Sequence, residues 1–183
     1  MNPVQLMDSQ RTALCLLAGL FILLATALVA NHWLDYGQLT ATLEQPLSRL
    51  RWIAGDISEV VFYKHELPAL GLLIGACLAH WAGLRGYRWQ GFAICYGSGL
   101  WPWVFVSSLF GLLLSHLLWG WTLTAGIWQP TFVAFVSLPA AMVLLYGGGW
   151  QVAISGAVLG AVLVTPASLL MVNYICYPLG LPA

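Results

Sequence analysis

The 183-residue sequence predicts an all-α fold, a polytopic transmembrane helical bundle of about five spans with one amphipathic surface helix. Three features carry that expectation. No Asp, Glu, Lys or Arg occurs from Trp89 to Ala183. A water-facing domain of that length needs surface charge, so lipid or other buried helices must surround this one. Hydrophobic residues make up 61% of the chain and charged residues 7%, with a mean hydropathy of +0.86. Ordinary soluble domains carry about 25% charged residues. Finally, apolar stretches recur at the length of ~20 residues that crosses a hydrocarbon core of about 30 Å. Residues 1–183 are expected to form a single integral membrane domain.

The first span is placed at 12–30, which carries no charge. Ala25-Thr26-Ala27 has the form of a signal-peptide cleavage site. Arg11 is offset by Asp8, however, so a retained helix is expected. The next segment, 31–66, holds eight of the chain's twelve charges. Within it Leu43, Leu47, Leu50, Ile53, Ile57 and Val61 recur at three- and four-residue steps, and Pro46 suits a first helical turn. This predicts a surface helix at 42–62 with its apolar face in the membrane interface, either a connector or a lid over a site.

The remaining spans are placed at 67–84, 101–119, 127–146 and 150–174. Pro139 and Pro166 fall inside spans and should distort them. Gly97 and Gly99 interrupt the approach to the span at 101. Seven tryptophans (Trp33, Trp81, Trp89, Trp101, Trp119, Trp121 and Trp150) fall near span ends, where an amphipathic ring prefers the headgroup level. Arg11, Arg85 and Arg88 would share one face. That face should be cytoplasmic, which puts the N-terminus inside, in a bacterial-type inner membrane.

Small residues four apart, Gly71-Gly75-Ala79 and Gly156-Gly160, predict close helix packing. A faint repeat is also legible. Tyr96-Gly-Ser-Gly-Leu-Trp101 and Tyr146-Gly-Gly-Gly-Trp150 both precede a span, and Gly111 and Gly160 follow at the same remove.

Net charge is zero and no basic patch exists, so nucleic acid is not an expected partner. The four cysteines follow no metal or redox spacing. No G-x-S-x-G or phosphate loop occurs, and Ser115 and His116 point about 100° apart on a helix. No catalytic residue is assigned, and an enzyme is the less expected outcome. No carboxylate or amine lies within a span, which disfavours a proton relay built on span residues.

The leading expectation is a membrane transport protein, or the membrane component of an uptake system, for a neutral or weakly polar small solute. Its substrate-binding residues would be Tyr96, Trp101, His116, Tyr146, Trp150 and Asn173, grouped around the glycine interruptions. An accessory subunit of a larger membrane complex, or a homo-oligomer, would equally suit the small-residue faces and the uncharged end of the chain. The third reading is a redox protein. His32, His65, Glu66 and His116 would share one membrane face and could hold a metal ion, or two of the histidines one b-type haem. The leading reading needs no cofactor, and its only certain partner is the lipid bilayer.

Overall fold

A computed structural model describes residues 43–59, 65–87, 98–124 and 129–181. The expected span at 12–30, His32 and Tyr96 lie outside them. The described residues are helical and include no strand. In chain order they form α1 (Pro46–Glu59), α2 (Glu66–Leu84), α3 (Trp101–Trp119), α4 (Val133–Val136), α5 (Leu138–Tyr146), α6 (Trp150–Leu159) and α7 (Thr165–Met171). A π turn, Gly160–Val164, joins α6 to α7, and a second, Val172–Cys176, follows α7. Glu66–Leu84, Trp101–Thr122 and Trp150–Cys176 are long and apolar enough to cross a membrane, and Val133–Tyr146 is shorter.

The helix within 42–62 runs from Pro46 to Glu59 among the described residues. It turns its polar side inward. Ser48, Trp52, Gly55, Asp56 and Ser58 are buried, while Leu47 and Leu50 are 69% and 63% exposed. The apolar stripe read from the sequence therefore splits. Leu43 and Ile57 pack inward, and Leu47 and Leu50 face out. The helix rests mainly on α2 and touches α3.

α2 begins on His65, whose Nδ1 accepts the Leu67 amide at 3.1 Å. That satisfies one donor at the helix start. Gly86, at φ 65°, closes the other end, with the Tyr87 amide returning to the Ala82 carbonyl. The Arg85 guanidinium lies 4.7 Å from the Trp81 ring centroid, as an interfacial cation–aromatic anchor would.

α3 follows Gly99, at φ 74°, with Pro102 in its first turn. It is the central helix, packed against α4, α5, α6 and the first π turn. Its buried face is mostly small or polar, with Ser107, Ser108, Gly111 and Ser115 beside the single large apolar residue Leu112. Larger apolar residues such as Phe110, Leu113 and Leu117 point outward. In lipid this inversion is economical, since small residues let backbones approach and hydroxyls bond across helices. Ser107 Oγ donates to the Ala153 carbonyl at 2.8 Å, and Ser115 Oγ to Thr165 Oγ1 at 2.9 Å.

The helical segment expected at 127–146 is broken. A four-residue α4 gives way at Ser137 (φ −111°, ψ −123°), and α5 restarts with Pro139 in its first turn. Pro139 has no amide hydrogen to continue the ladder. It is also the wedge on which three glycines close. A Cβ at Gly111 would lie 2.8 Å, and one at Gly160 2.7 Å, from Pro139 Cγ, and one at Gly156 3.1 Å from its Cα. Gly156 and Gly160 thus pack within the chain. The two glycines that follow the faint repeat, Gly111 and Gly160, meet the same proline from α3 and from the end of α6. A Cβ at Gly71 or Gly75 would meet no described neighbour within 4 Å beyond its own stretch of helix.

The kink expected at Pro166 is accommodated without a break. The chain shifts to five-residue hydrogen bonding, the Thr165 amide donating to the Gly160 carbonyl.

Candidate ligand cavity and the buried Asp56 network

Four side chains from three separate segments meet beneath α1. Asp56 Oδ2 lies 2.6 Å from His116 Nε2 of α3 and accepts from Thr131 Oγ1, just before α4, at 2.7 Å. Thr131 in turn accepts the Trp52 indole N–H at 3.0 Å. Trp52, Asp56 and Thr131 are fully buried and the His116 side chain nearly so. A carboxylate withdrawn from water must be met by donors or it stays un-ionised. Here the directions agree. Thr131 has one hydrogen, given to Asp56, so its lone pair is left for Trp52, and an ionised Asp56 fixes the His116 proton on Nε2. Trp52 and Asp56 are one helical turn apart, so the network clamps α1 to α3 and to the lead-in of the broken helix.

A second polar group lies where α1 meets α2. Arg51 Nε and Glu66 Oε1 form an ion pair at 2.6 Å, and Glu66 Oε2 lies 3.5 Å from His65 Nδ1. Ser58 Oγ lies 2.9 Å from the His65 carbonyl and accepts the His65 amide at 3.3 Å. Burial, reinforced by Arg51 and opposed by Glu66, holds the His65 pKa below its ordinary 6.5. Neutral His65 is what the cap requires, because a protonated Nδ1 could not accept the Leu67 amide.

Between α1, α2, α3 and the broken helix lies an apolar cavity of about 290 Å³. Ile57 of α1, Leu73 and Ala76 of α2, and Trp101 and Ser108 of α3 line it. Phe135 and Val136 before the break, and Ala140 after it, complete the wall. Trp101 stacks on Phe105 with centroids 5.6 Å apart and lies beside His80 at 5.5 Å.

The six expected substrate residues do not line one cavity. Trp101 lines this one. His116, fifteen residues further along α3 and so about 22 Å away by helix rise, belongs to the Asp56 network and lines a separate groove. Trp150 packs edge-on against Trp103 at 5.3 Å and beside Phe110 at 6.4 Å. Tyr146 is exposed at the end of α5, and Asn173 is half-buried in the second π turn. Of the expected metal ligands, His65 and Glu66 are adjacent and His116 is engaged by Asp56. Among the described residues no three His, Cys, Asp or Glu side chains gather.

Sequence reasoning missed Asp56, Thr131, Trp52 and Ser108. A signal existed for the first: Ser48, Trp52 and Asp56 recur every fourth residue, a buried stripe as regular as the leucine one. Thr131 and Ser108 carried none, since isolated hydroxyls recur throughout the chain.

No protein-family model matches the chain, and no curated protein or solved structure is significantly similar to it. Among the described residues, the class that the structure defines is an all-helical protein with three helices long and apolar enough to cross a membrane.

Proposed function

We propose that this is a multi-pass membrane transport protein for a neutral or weakly polar small solute. In this reading five helical segments cross a bacterial-type inner membrane, with the N-terminus cytoplasmic. The solute site is the cavity between α2, α3 and the broken helix. One observation carries the reading: residues on both sides of the Ser137 break, Phe135, Val136 and Ala140, line the same cavity as Trp101 and Ser108. Transporters place their sites at interrupted helices, where the lining can change with little movement. The walls are apolar and aromatic with Ser108 as a hydroxyl. They suit a compact solute with one hydrogen-bonding group. α1 contributes Ile57 to the wall and acts as the lid, held by the Asp56 network.

The test is uptake of a panel of labelled neutral solutes into proteoliposomes. Ala140→Phe, which fills the cavity, and Trp101→Ala, which removes its aromatic wall, should each abolish uptake while the protein stays folded in the membrane. Unchanged uptake in both variants would defeat the assignment.

A second reading, an accessory subunit, is favoured by the face of α2 that carries Gly71 and Gly75. Both glycines are exposed, as are Leu70, Ile74 and Leu78. Obligate co-purification with a larger membrane subunit would favour that reading over transport.

A further inference from the structure

We propose that the groove between α1 and the C-terminal end of α3 holds an anionic phospholipid, with Arg49 on its phosphate. The groove measures about 270 Å³ and is distinct from the solute cavity. Its surface is mostly apolar, formed by Ile53 of α1, Leu113 and Leu117 of α3, and Leu123 beyond it. Leu117 is 80% exposed along its open side. Such a trough accepts an acyl chain and offers a small polar ion nothing.

The polar end is Arg49. Its Nε donates to the Leu43 carbonyl at 3.0 Å, which fixes the plane of the guanidinium. That bond uses one of five N–H donors. The other four have no carboxylate partner among the described residues. Arg51, two residues on, is by contrast neutralised by Glu66. An arginine held by its stem side and presenting its fork is preorganised for a phosphate, which it grips through two parallel bonds. The other polar wall is His116, whose Nε2 is already committed to Asp56.

Position agrees with charge. Arg49 stands between Leu47 and Leu50, the two exposed leucines of α1. With those leucines in the acyl boundary, the guanidinium sits at headgroup depth. A zwitterionic lipid brings its own cation to the same place and gains less from Arg49, so the groove selects lipids of net negative charge. The proposal rests on the membrane placement above and is independent of any solute.

The test uses the full chain reconstituted in nanodiscs of equal phosphatidylglycerol and phosphatidylcholine. Retained lipid is then read by native mass spectrometry. The wild type should keep phosphatidylglycerol preferentially. Arg49→Gln should lower that preference about tenfold, the effect of losing a charge-assisted bidentate pair, and Arg49→Lys should keep part of it. Thermal unfolding of each variant guards against misfolding. Leu117→Asn, which spoils the trough and leaves Arg49, should weaken retention of both lipids.

Equal retention of the two lipids by the wild type, or an unchanged preference in Arg49→Gln, would overturn the proposal. So would displacement of the lipid by millimolar inorganic phosphate, which would mark an ion site. A chain that failed to enter nanodiscs would instead defeat the membrane placement.

Discussion

The indole N–H of Trp119, at the end of α3, donates to the main-chain carbonyl of Ala161 at 2.8 Å. The bond answers a need created by Pro166. In the π turn the Thr165 amide goes to the Gly160 carbonyl, and Pro166 has no hydrogen to offer Ala161. The five-residue donor that a continued π turn would give that carbonyl is therefore missing, and an unmet backbone acceptor is costly wherever water is excluded. Thr165 Oγ1 adds a second bond to Gly160, at 3.3 Å, and itself accepts Ser115. The irregular turn is thus served from α3 by two side chains one helical turn apart.

Trp119→Phe should keep an aromatic ring, though a smaller one, and remove the donor to the Ala161 carbonyl. We expect a loss of about 1–3 kcal/mol, the usual consequence of leaving a buried acceptor unmet. Denaturant-induced unfolding in mixed micelles measures it. A loss below the error of that method would show that the bond contributes nothing.

The glycines of the bundle should separate sharply into two kinds. Gly160→Ala places its Cβ 2.7 Å from Pro139 Cγ, in contact with a rigid ring that cannot step aside. Overpacking of that sort costs about 1–3 kcal/mol. Gly75→Ala meets nothing described within 4 Å and should be neutral or slightly stabilising, alanine being the better helix former. The contrast is readable as melting temperature in detergent, with equal effects at the two sites contradicting it.

Removing Asp56 should be the most damaging single change in α1. Asp56→Ala leaves His116 Nε2 and the Thr131 hydroxyl without their acceptor in a dry site, a loss of about 3–5 kcal/mol. Thr131→Val removes one bond to the carboxylate and one from Trp52 while keeping the volume, and should cost about 1–3 kcal/mol. The Trp52 indole N–H resonance, assigned among the ten tryptophans by its loss in Trp52→Phe, reports both, because the indole loses its partner or is exposed. Identical spectra and stabilities in the two variants would argue against the four-residue network.

The His65 cap makes a pH prediction. Its folded pKa is depressed below the unfolded 6.5, so the unfolded chain binds the proton first as pH falls. Stability is therefore full above 6.5 and is lost between 6.5 and the lower folded value, with no further change from this group below that. His65→Asn keeps a capping side chain that does not titrate. The melting temperature of the wild type should fall relative to this variant on acidification from pH 7 to 5. Parallel curves would show that the imidazole takes up its proton equally in the folded and unfolded states, so that the cap does not depress its pKa.

How much was legible in the sequence divides along physical lines. The apolar segments at 67–84, 101–119 and 150–174 appear with nearly those limits, since helix length in an apolar run depends on local composition alone. The proline positions foretold irregularity. They could not say that Pro139 would break its helix and Pro166 would only widen its own, because that depends on whether a neighbouring helix supplies donors. Trp119 does so at Pro166. At Pro139, three glycines instead close around the ring.

The amphipathic helix was visible too, but its inward face was not. Hydropathy ranks side chains by their distaste for water, and it does not say that Leu47 and Leu50 would face out while Asp56 packs inward. Chain sequence alone indicated the long apolar helices near 67–84, 101–119 and 150–174, because each follows from a residue and its neighbours within a turn or two. Only folding in three dimensions decided that Asp56 would meet His116 sixty residues away, that Trp101 and His116 would serve different cavities, and that Arg49 would meet no carboxylate among the described residues. Those are encounters between segments, and no property of either segment by itself encodes them.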